Sequence, residues 1–348
     1  MAEKVVITGG AGFLGLHLAQ RIAAIPNYHV VLVDIANYPP DEYPADVEKM
    51  TGDVRNKTRM EKVFEGASIV IHGAAGLPLL PRDEIMDINV RGMRNVLEAA
   101  QNAGVKRVVQ VSSTAVYGVP EKHPLYEDDP MVGVGPYGES KITAERICEE
   151  FREKGMIVPV IRPKTFIGTH RLGVFQILYE WVKEGHRIPI IGNGKNRYQL
   201  LEVEDLVDAI WLVATHADTT KANRTFNVGA MEFRTVQEDV GALCDHAKSG
   251  ARVMATPAGL VKPVLATAEA VKLSPLYKWV YGTADKDSFV STERIQELGW
   301  KANYSNTDAL IRSYQWYLEH YHEAEQGTGT HHRVAWDQGI LKVIKRFI

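Results

Sequence analysis

Short runs of β-branched residues alternate with amphipathic stretches through the first half of the chain. The runs are "KVVITG", "HVVLVD", "ASIVIHGA", "RVVQVSS" and "IVPVIRP". Each is apolar at successive positions rather than alternate ones, as a strand covered on both faces must be. Between them lie helical repeats such as "LGLHLAQRIAAI" and "INVRGMRNVLEAAQNAG". Strand and helix in regular succession predict βαβ units and a doubly wound parallel sheet. From about residue 166 the rhythm breaks. "LLEVEDLVDAIWLVAT" and "RTFNVGA" predict one more helix and strand returning to the sheet. The expected organisation is a main domain over 1–165 with 198–229 returning to it, and a smaller, irregular α/β lobe over 166–197 and 230–325.

Residues 326–348 form a linker and a distinct ending, "WDQGILKVIKRFI". Ile340, Leu341, Ile344 and Ile348 share one helical face, with Lys342, Lys345 and Arg346 largely off it. The ending predicts a tail helix packed on its own lobe or on a partner subunit, with contact to a membrane surface as the alternative.

Composition narrows the class. A formal charge of −3 over 348 residues gives no reason to expect a nucleic-acid partner. Two cysteines, Cys148 and Cys244, without a CxxC, exclude a disulfide scaffold or zinc module as the organising feature. No metal is expected. The start "MAEK" runs straight into the first strand, and no apolar run is long enough to span a bilayer, so the expected location is the cytoplasm.

"ITGGAGFLG" follows the first strand and opens the first helix. Gly9, Gly12 and Gly15 stand three apart, where a turn needs unusual dihedrals and the backbone must approach a pyrophosphate. The helix N-terminus then offers free N–H groups to the anion. This is a Rossmann-type cradle. Asp34 ends the second strand, where a carboxylate accepts the ribose hydroxyls of adenosine and repels the 2′-phosphate of NADP. No arginine follows it in "DIANYPP", so the expected cofactor is NAD. Asp53 and Val54, in "GDVRN", are placed to flank an adenine.

Tyr137 and Lys141 stand four apart in "GPYGESKITAER", on one face of a helix. An ammonium beside a phenol favours the phenolate, so the pair predicts a tyrosine of lowered pKa that takes a proton from a substrate alcohol. "VVQVSSTAVYG" brings Ser112, Ser113 and Thr114 to the same sheet edge, where a hydroxyl can hold the substrate oxygen.

"TGGAGFLG", "HGAA", "SSTAVYG" and "YGESK", in this order and spacing, resemble the extended short-chain dehydrogenase/reductase family. The similarity covers about residues 4–320. It implies a catalytic set of Ser113, Tyr137 and Lys141, with Thr114 the alternative hydroxyl. It implies cofactor contacts from Gly9, Gly12, Phe13, Leu14, Gly15, Asp34, Asp53, Val54, Ala74, Ala75 and Pro163, with Tyr137 and Lys141 also at the nicotinamide end. Asn89 is expected either to tie the central helix to the site or to cap or kink that helix. A homodimer through helices 88–103 and 137–154 is the family's default.

Dehydratases of the family carry an acidic pair just after the triad hydroxyl; here Thr114 and Ala115 stand there. What remains is hydride transfer at a secondary alcohol. The first expectation is a nucleotide-sugar epimerase of C4 type, with Arg171 and Arg197 as candidates for the substrate diphosphate and Ser113 and Thr114 at the sugar. Against it, Tyr198 stands where an epimerase usually has its arginine. The alternative is a 3β-hydroxysteroid dehydrogenase-like enzyme for an apolar alcohol, suggested by "GLPLLPRDEI" after "HGAA". A regulatory protein that binds NAD without catalysis comes third.

Overall fold

The computed structural model describes residues 2–39, 41–78, 80–171, 173–270 and 278–324. The tail helix expected within 326–348 lies outside the described residues. The chain enters through β1 (Glu3–Thr8), α1 (Phe13–Ala23), β2 (Tyr28–Asp34), β3 (Glu48–Thr51), α2 (Lys57–Phe64) and β4 (Ala67–His72). Then α3 (Arg82–Met86), a π-helical turn (Asp87–Arg91) and α4 (Gly92–Asn102) lead to β5 (Arg107–Val111). A 3-10 turn (Thr114–Tyr117), α5 (Gly135–Glu153) and β6 (Val160–Pro163) follow. Next come β7 (Thr165–Ile167), α6 (Val174–Lys183), β8 (Arg187–Ile191), β9 (Leu200–Glu202), α7 (Val203–Thr215), α8 (Thr219–Ala222) and β10 (Thr225–Val228).

Seven strands form one parallel sheet in the order β10-β6-β5-β4-β1-β2-β3. Strand β1 shows why its sequence does not alternate. Val5 and Ile7 point into a core with Leu16 and Ile22 of α1 and Leu206 and Ile210 of α7. Val6, between them, points into the opposite core with Val96 and Leu97 of α4 and Ile147 of α5. Both faces are covered, so Val5, Val6 and Ile7 are apolar in succession. The chain leaves β1 toward β2 and β3, then crosses back to β4 and β5. The resulting switch point opens a crevice at the carboxyl ends of the strands.

The remaining elements are α9 (Val236–Ala247), β11 (Arg252–Thr256), α10 (Ala258–Ala270), α11 (Lys278–Thr283), α12 (Glu293–Gln296) and α13 (Asn306–Ala324). Of these, α9, β11 and α13 pack with α6 and β8 on a third core built around Tyr179, Trp181, Leu243, Leu310 and Tyr317, while Ile295 of α12 joins the core of α1 and α7. The stretches expected to be irregular contain a short parallel ladder, β8 with β11, and a second one pairs β7 with β9, which lies in the returning stretch 198–229. Among the described residues, no helix is long and apolar enough to cross a membrane.

Candidate active site

The turn from β1 to α1 folds back more tightly than side chains permit. A Cβ on Gly15 would lie 2.4 Å from the Gly9 carbonyl oxygen, and one on Gly9 would lie 2.7 Å from the Ala74 amide nitrogen. Gly9 has φ of 75°, in the left-handed region that glycine adopts freely. Gly12 is the N-cap of α1, and no side chain caps that helix. The first-turn amides of Phe13, Leu14 and Gly15 therefore face the crevice as an anion site. The side chains of Phe13 and Leu14 go the other way, Phe13 stacking on Phe166 at 5.6 Å and Leu14 packing on the core.

Asp34 ties the glycine turn to the end of β2: its Oδ2 accepts from the Ala11 amide at 3.0 Å and its Oδ1 from the Ala36 amide at 2.9 Å. Each oxygen keeps a lone pair for a ribose hydroxyl. Asp53 turns its carboxylate onto the Arg55 guanidinium, with contacts of 2.6–3.0 Å, and those hydrogen bonds hold it below the usual carboxylate range. Val54 is buried, close against Gly92 of α4. Ala74 and Ala75 follow β4 beside the glycine turn. Thr8 Oγ1 pairs with His72 Nδ1 at 2.6 Å and accepts from the Ala74 amide at 3.4 Å. Burial, helped by the charge of Lys141, pushes His72 down to about 3, so its ring is neutral. Pro163 ends β6, and its carbonyl accepts the Thr114 hydroxyl at 3.3 Å. A glycine turn that no Cβ could enter, open helix amides and a carboxylate at the end of β2 fit a dinucleotide.

At the other end of the crevice, α5 begins with Pro136 in its first turn, setting Tyr137 and Lys141 one turn apart. Lys141 Nζ lies 5.7 Å from the centre of the Tyr137 ring and donates to the Val111 carbonyl at 3.1 Å. Ser113, just beyond β5, accepts from the Ala115 amide at 3.1 Å, and its hydroxyl lies near enough to the Tyr137 phenol to favour the phenolate. The structure thus brings Ser113, Tyr137 and Lys141 together.

The expected lowering of the tyrosine is corrected. Burial pushes Tyr137 up to about 12, and the Ser113 hydroxyl only partly offsets it. Burial also pushes Lys141 down to about 8, with Glu145 and Cys148 pulling it back. The lysine's charge favours the phenolate, but the loss of water around the phenol outweighs it.

Residues 5–229 match the model of the NAD dependent epimerase/dehydratase family. The chain belongs to that family. A UDP-glucose 4-epimerase of Lactobacillus helveticus is 28% identical over 348 residues, covering 91% of this chain and 98% of that protein. A decarboxylating sterol-4-alpha-carboxylate 3-dehydrogenase of Bos taurus is 31% identical over 236 residues, 65% of each chain. The crystal structure of a Thermotoga maritima UDP-glucose 4-epimerase with UDP-glucose aligns with a TM-score of 0.76 at 22% identity, over 91% of this chain and 99% of that one. The protein is accordingly an NAD-dependent enzyme of the epimerase/dehydratase family.

Two features of this family member escaped the sequence reading. Glu145 lies one turn beyond Lys141 on the same face of α5 and pairs with Arg162 of β6 at 2.6 Å, both side chains buried. Arg162 also donates to the Tyr117 hydroxyl at 2.8 Å, which donates to Asn227 of β10 at 2.7 Å. Ser112 donates to Glu145 as well, so this network fixes α5 against β5 and thereby sets Tyr137 opposite Ser113. The signal was there: three polar residues at four-residue spacing, Tyr137, Lys141 and Glu145, on a helix that must be buried. The second feature is Lys164, buried in a cleft with Thr114, Tyr198, Asp287 and Ser288. A charge directly after a fully buried strand was its signal.

Asn89, inside the π-helical turn, accepts from the Gly76 amide at 2.7 Å and donates to Ser140 at 2.9 Å. It ties the central helix to α5 from within the π-helical turn, so both the tie and the departure from regular helix occur at this residue. Of the two arginines assigned to a diphosphate, Arg171 is placed differently from expectation. Arg171 is 7% exposed, its guanidinium 5.3 Å from the Phe13 ring centre and 5.8 Å from that of Phe166, so it packs behind α1 and does not line the cleft. Arg197 is exposed, its guanidinium 4.5 Å from the Phe233 ring and 4.9 Å from the Phe289 ring.

Proposed function

We propose that this enzyme is a nucleotide-sugar epimerase acting at C4 through a keto intermediate. The observation that carries the reading is the grouping of Ser113, Tyr137 and Lys141 at the end of the crevice away from the glycine cradle, with the Lys141 ammonium 5.7 Å from the Tyr137 ring centre. Ser113 donates a hydrogen bond to the reacting sugar oxygen and holds it against Tyr137. Tyr137 accepts the hydroxyl proton and later returns it. Lys141, fixed by the Val111 carbonyl, holds the nicotinamide ribose and keeps a cation near the phenol. NAD, when bound, supplies the hydride acceptor and a positive ring charge beside the tyrosine. Thr114 turns its hydroxyl to Pro163 and Ala115 has none, so no second acid stands ready to expel water. The full-length match to a UDP-glucose 4-epimerase supports this reading over the others.

A second reading, oxidation of an apolar alcohol, is favoured by the buried position of Arg171 and by the similarity to a sterol dehydrogenase. One assay separates them. The purified protein, incubated with NAD and UDP-glucose, is expected to form UDP-galactose without net NADH. Steady NADH with a sterol carboxylate and no turnover of nucleotide sugars would reverse the ranking.

A further inference from the structure

Lys164 is the residue after β6, adjacent to Pro163, and it is 5% exposed. Its Nζ donates to the Ser288 hydroxyl at 2.6 Å and stands 5.0 Å from the centre of the Tyr198 ring. These neighbours share one cleft with Thr114, His123 and Asp287. The Thr114 hydroxyl reaches the Pro163 carbonyl, so the loop carrying Ser113 and the residue before Lys164 are pinned together. The lysine is therefore at the reacting end of the site, beside the hydroxyls proposed to hold the sugar.

A buried ammonium needs compensation, and a serine hydroxyl and a ring face supply only part of it. Burial lowers this lysine to about 7. Among the described residues, no carboxylate pairs with it. Asp287 lines the same cleft, but its Oδ1 accepts the Arg197 amide at 2.8 Å. Arg162, two residues earlier, shows the other arrangement, in which a buried cation meets the chain's own carboxylate at 2.6 Å.

We infer that the substrate brings a carboxylate to Lys164, so that the sugar acted on is a nucleotide uronate rather than a neutral hexose. The inference rests on the nucleotide-sugar reading above and names the class of sugar. The carboxylate of a hexuronate is carried on C5, next to the proposed reacting carbon C4, which suits a cation beside Thr114. A diphosphate, at the far end of the sugar, is the other anion that could meet Lys164, and the experiment separates the two. A charge-assisted pair in a dry cleft discriminates strongly, because the ligand lacking the charge leaves the lysine buried without a counter-ion.

The test is calorimetric titration of the NAD-loaded full chain with UDP, UDP-glucose and UDP-glucuronate, for the wild type and Lys164→Met. The wild type is expected to bind UDP-glucuronate about 30-fold or more tightly than UDP-glucose. Lys164→Met is expected to remove that preference. Equal wild-type binding of the two sugars would overturn the inference while leaving the nucleotide-sugar reading intact. An equal loss for UDP, UDP-glucose and UDP-glucuronate in the variant would assign Lys164 to the diphosphate and also overturn it. If none of the three ligands binds the wild type, the nucleotide-sugar reading falls, and this inference with it. The wild-type preference needs no variant, so a misfolded Lys164→Met does not blunt the test.

Discussion

Arg162 and Lys164 stand two residues apart at the end of β6, both buried, and the chain treats them in opposite ways. Arg162 is surrounded by its own counter-charge: Glu145, with the Tyr117 hydroxyl and the Glu127 carbonyl taking its remaining donors. Burial alone would lower its pKa, and the hydrogen bonds and charge of Glu145 more than reverse that. Lys164 has a hydroxyl and a ring beside it, and burial wins. The difference separates a cation that belongs to the fold from one that belongs to a ligand. A buried charge neutralised within the chain positions other groups, and a buried charge aimed into a cleft is there for something that arrives.

The largest expected effect comes from breaking the first arrangement. Glu145→Ala leaves the Arg162 guanidinium buried without its carboxylate, a loss of about 3–5 kcal/mol in stability. Urea unfolding measures it. A loss below about 1 kcal/mol would show that water or a shifted side chain replaces Glu145, and Arg162 would no longer contrast with Lys164.

Next is Tyr137, two turns before Glu145 on the same helix face. Tyr137→Phe removes one hydroxyl and is expected to lower kcat by roughly 10²–10⁴-fold, the range for a positioned proton-transfer group. Its urea midpoint and NAD affinity should stay close to wild type, because the ring still fills its place. Rate loss without unfolding in Tyr137→Phe, and unfolding in Glu145→Ala, would divide one helical stripe into a chemical end and a structural end. Retained turnover in Tyr137→Phe would remove the tyrosine from the proton path.

The two ends of that stripe were not equally legible in the sequence. The glycine turn was readable because its requirement is local: Gly9 and Gly15 stand where an added Cβ would lie within 3 Å of the turn's own backbone or of Ala74. Tyr137 and Lys141 were readable because helix spacing alone puts them on one face, and Asp34 because it closes a strand at a known remove from the glycines. Arg162 and Glu145 meet only after β6 has been laid beside β5 and α5 packed over both. Lys164 meets Ser288 across 124 residues of sequence, a pairing that no local pattern encodes. Arg171 shows the reverse error. In "HRLGVF" it was expected at the substrate diphosphate, yet it is packed against the ring of Phe13 from the glycine turn. The sequence was explicit about backbone and helix geometry, and silent where a long side chain finds its partner through the tertiary fold.

The effect that tests the comparison most directly is a slope with pH. Lys164 titrates at about 7 in the folded chain against 10.5 ordinarily. Between those values the unfolded chain binds a proton that the folded chain does not, so this group makes stability rise with pH across that window. Below the folded value both states carry the charge, and the folded state bears the full cost of burying it. Above the upper value neither state is charged and the cost is gone. Lys164→Met, which carries no charge in either state, is therefore expected to gain most over wild type near pH 6–7. That advantage should shrink steadily toward pH 10. Urea midpoints of the two proteins, measured in parallel across that range, give the difference, and groups common to both cancel. Arg162 contributes no such slope, because Glu145 keeps it charged throughout. A difference that stayed flat would mean that the Lys164 ammonium reaches water in the folded chain, and the contrast between the two cations would disappear.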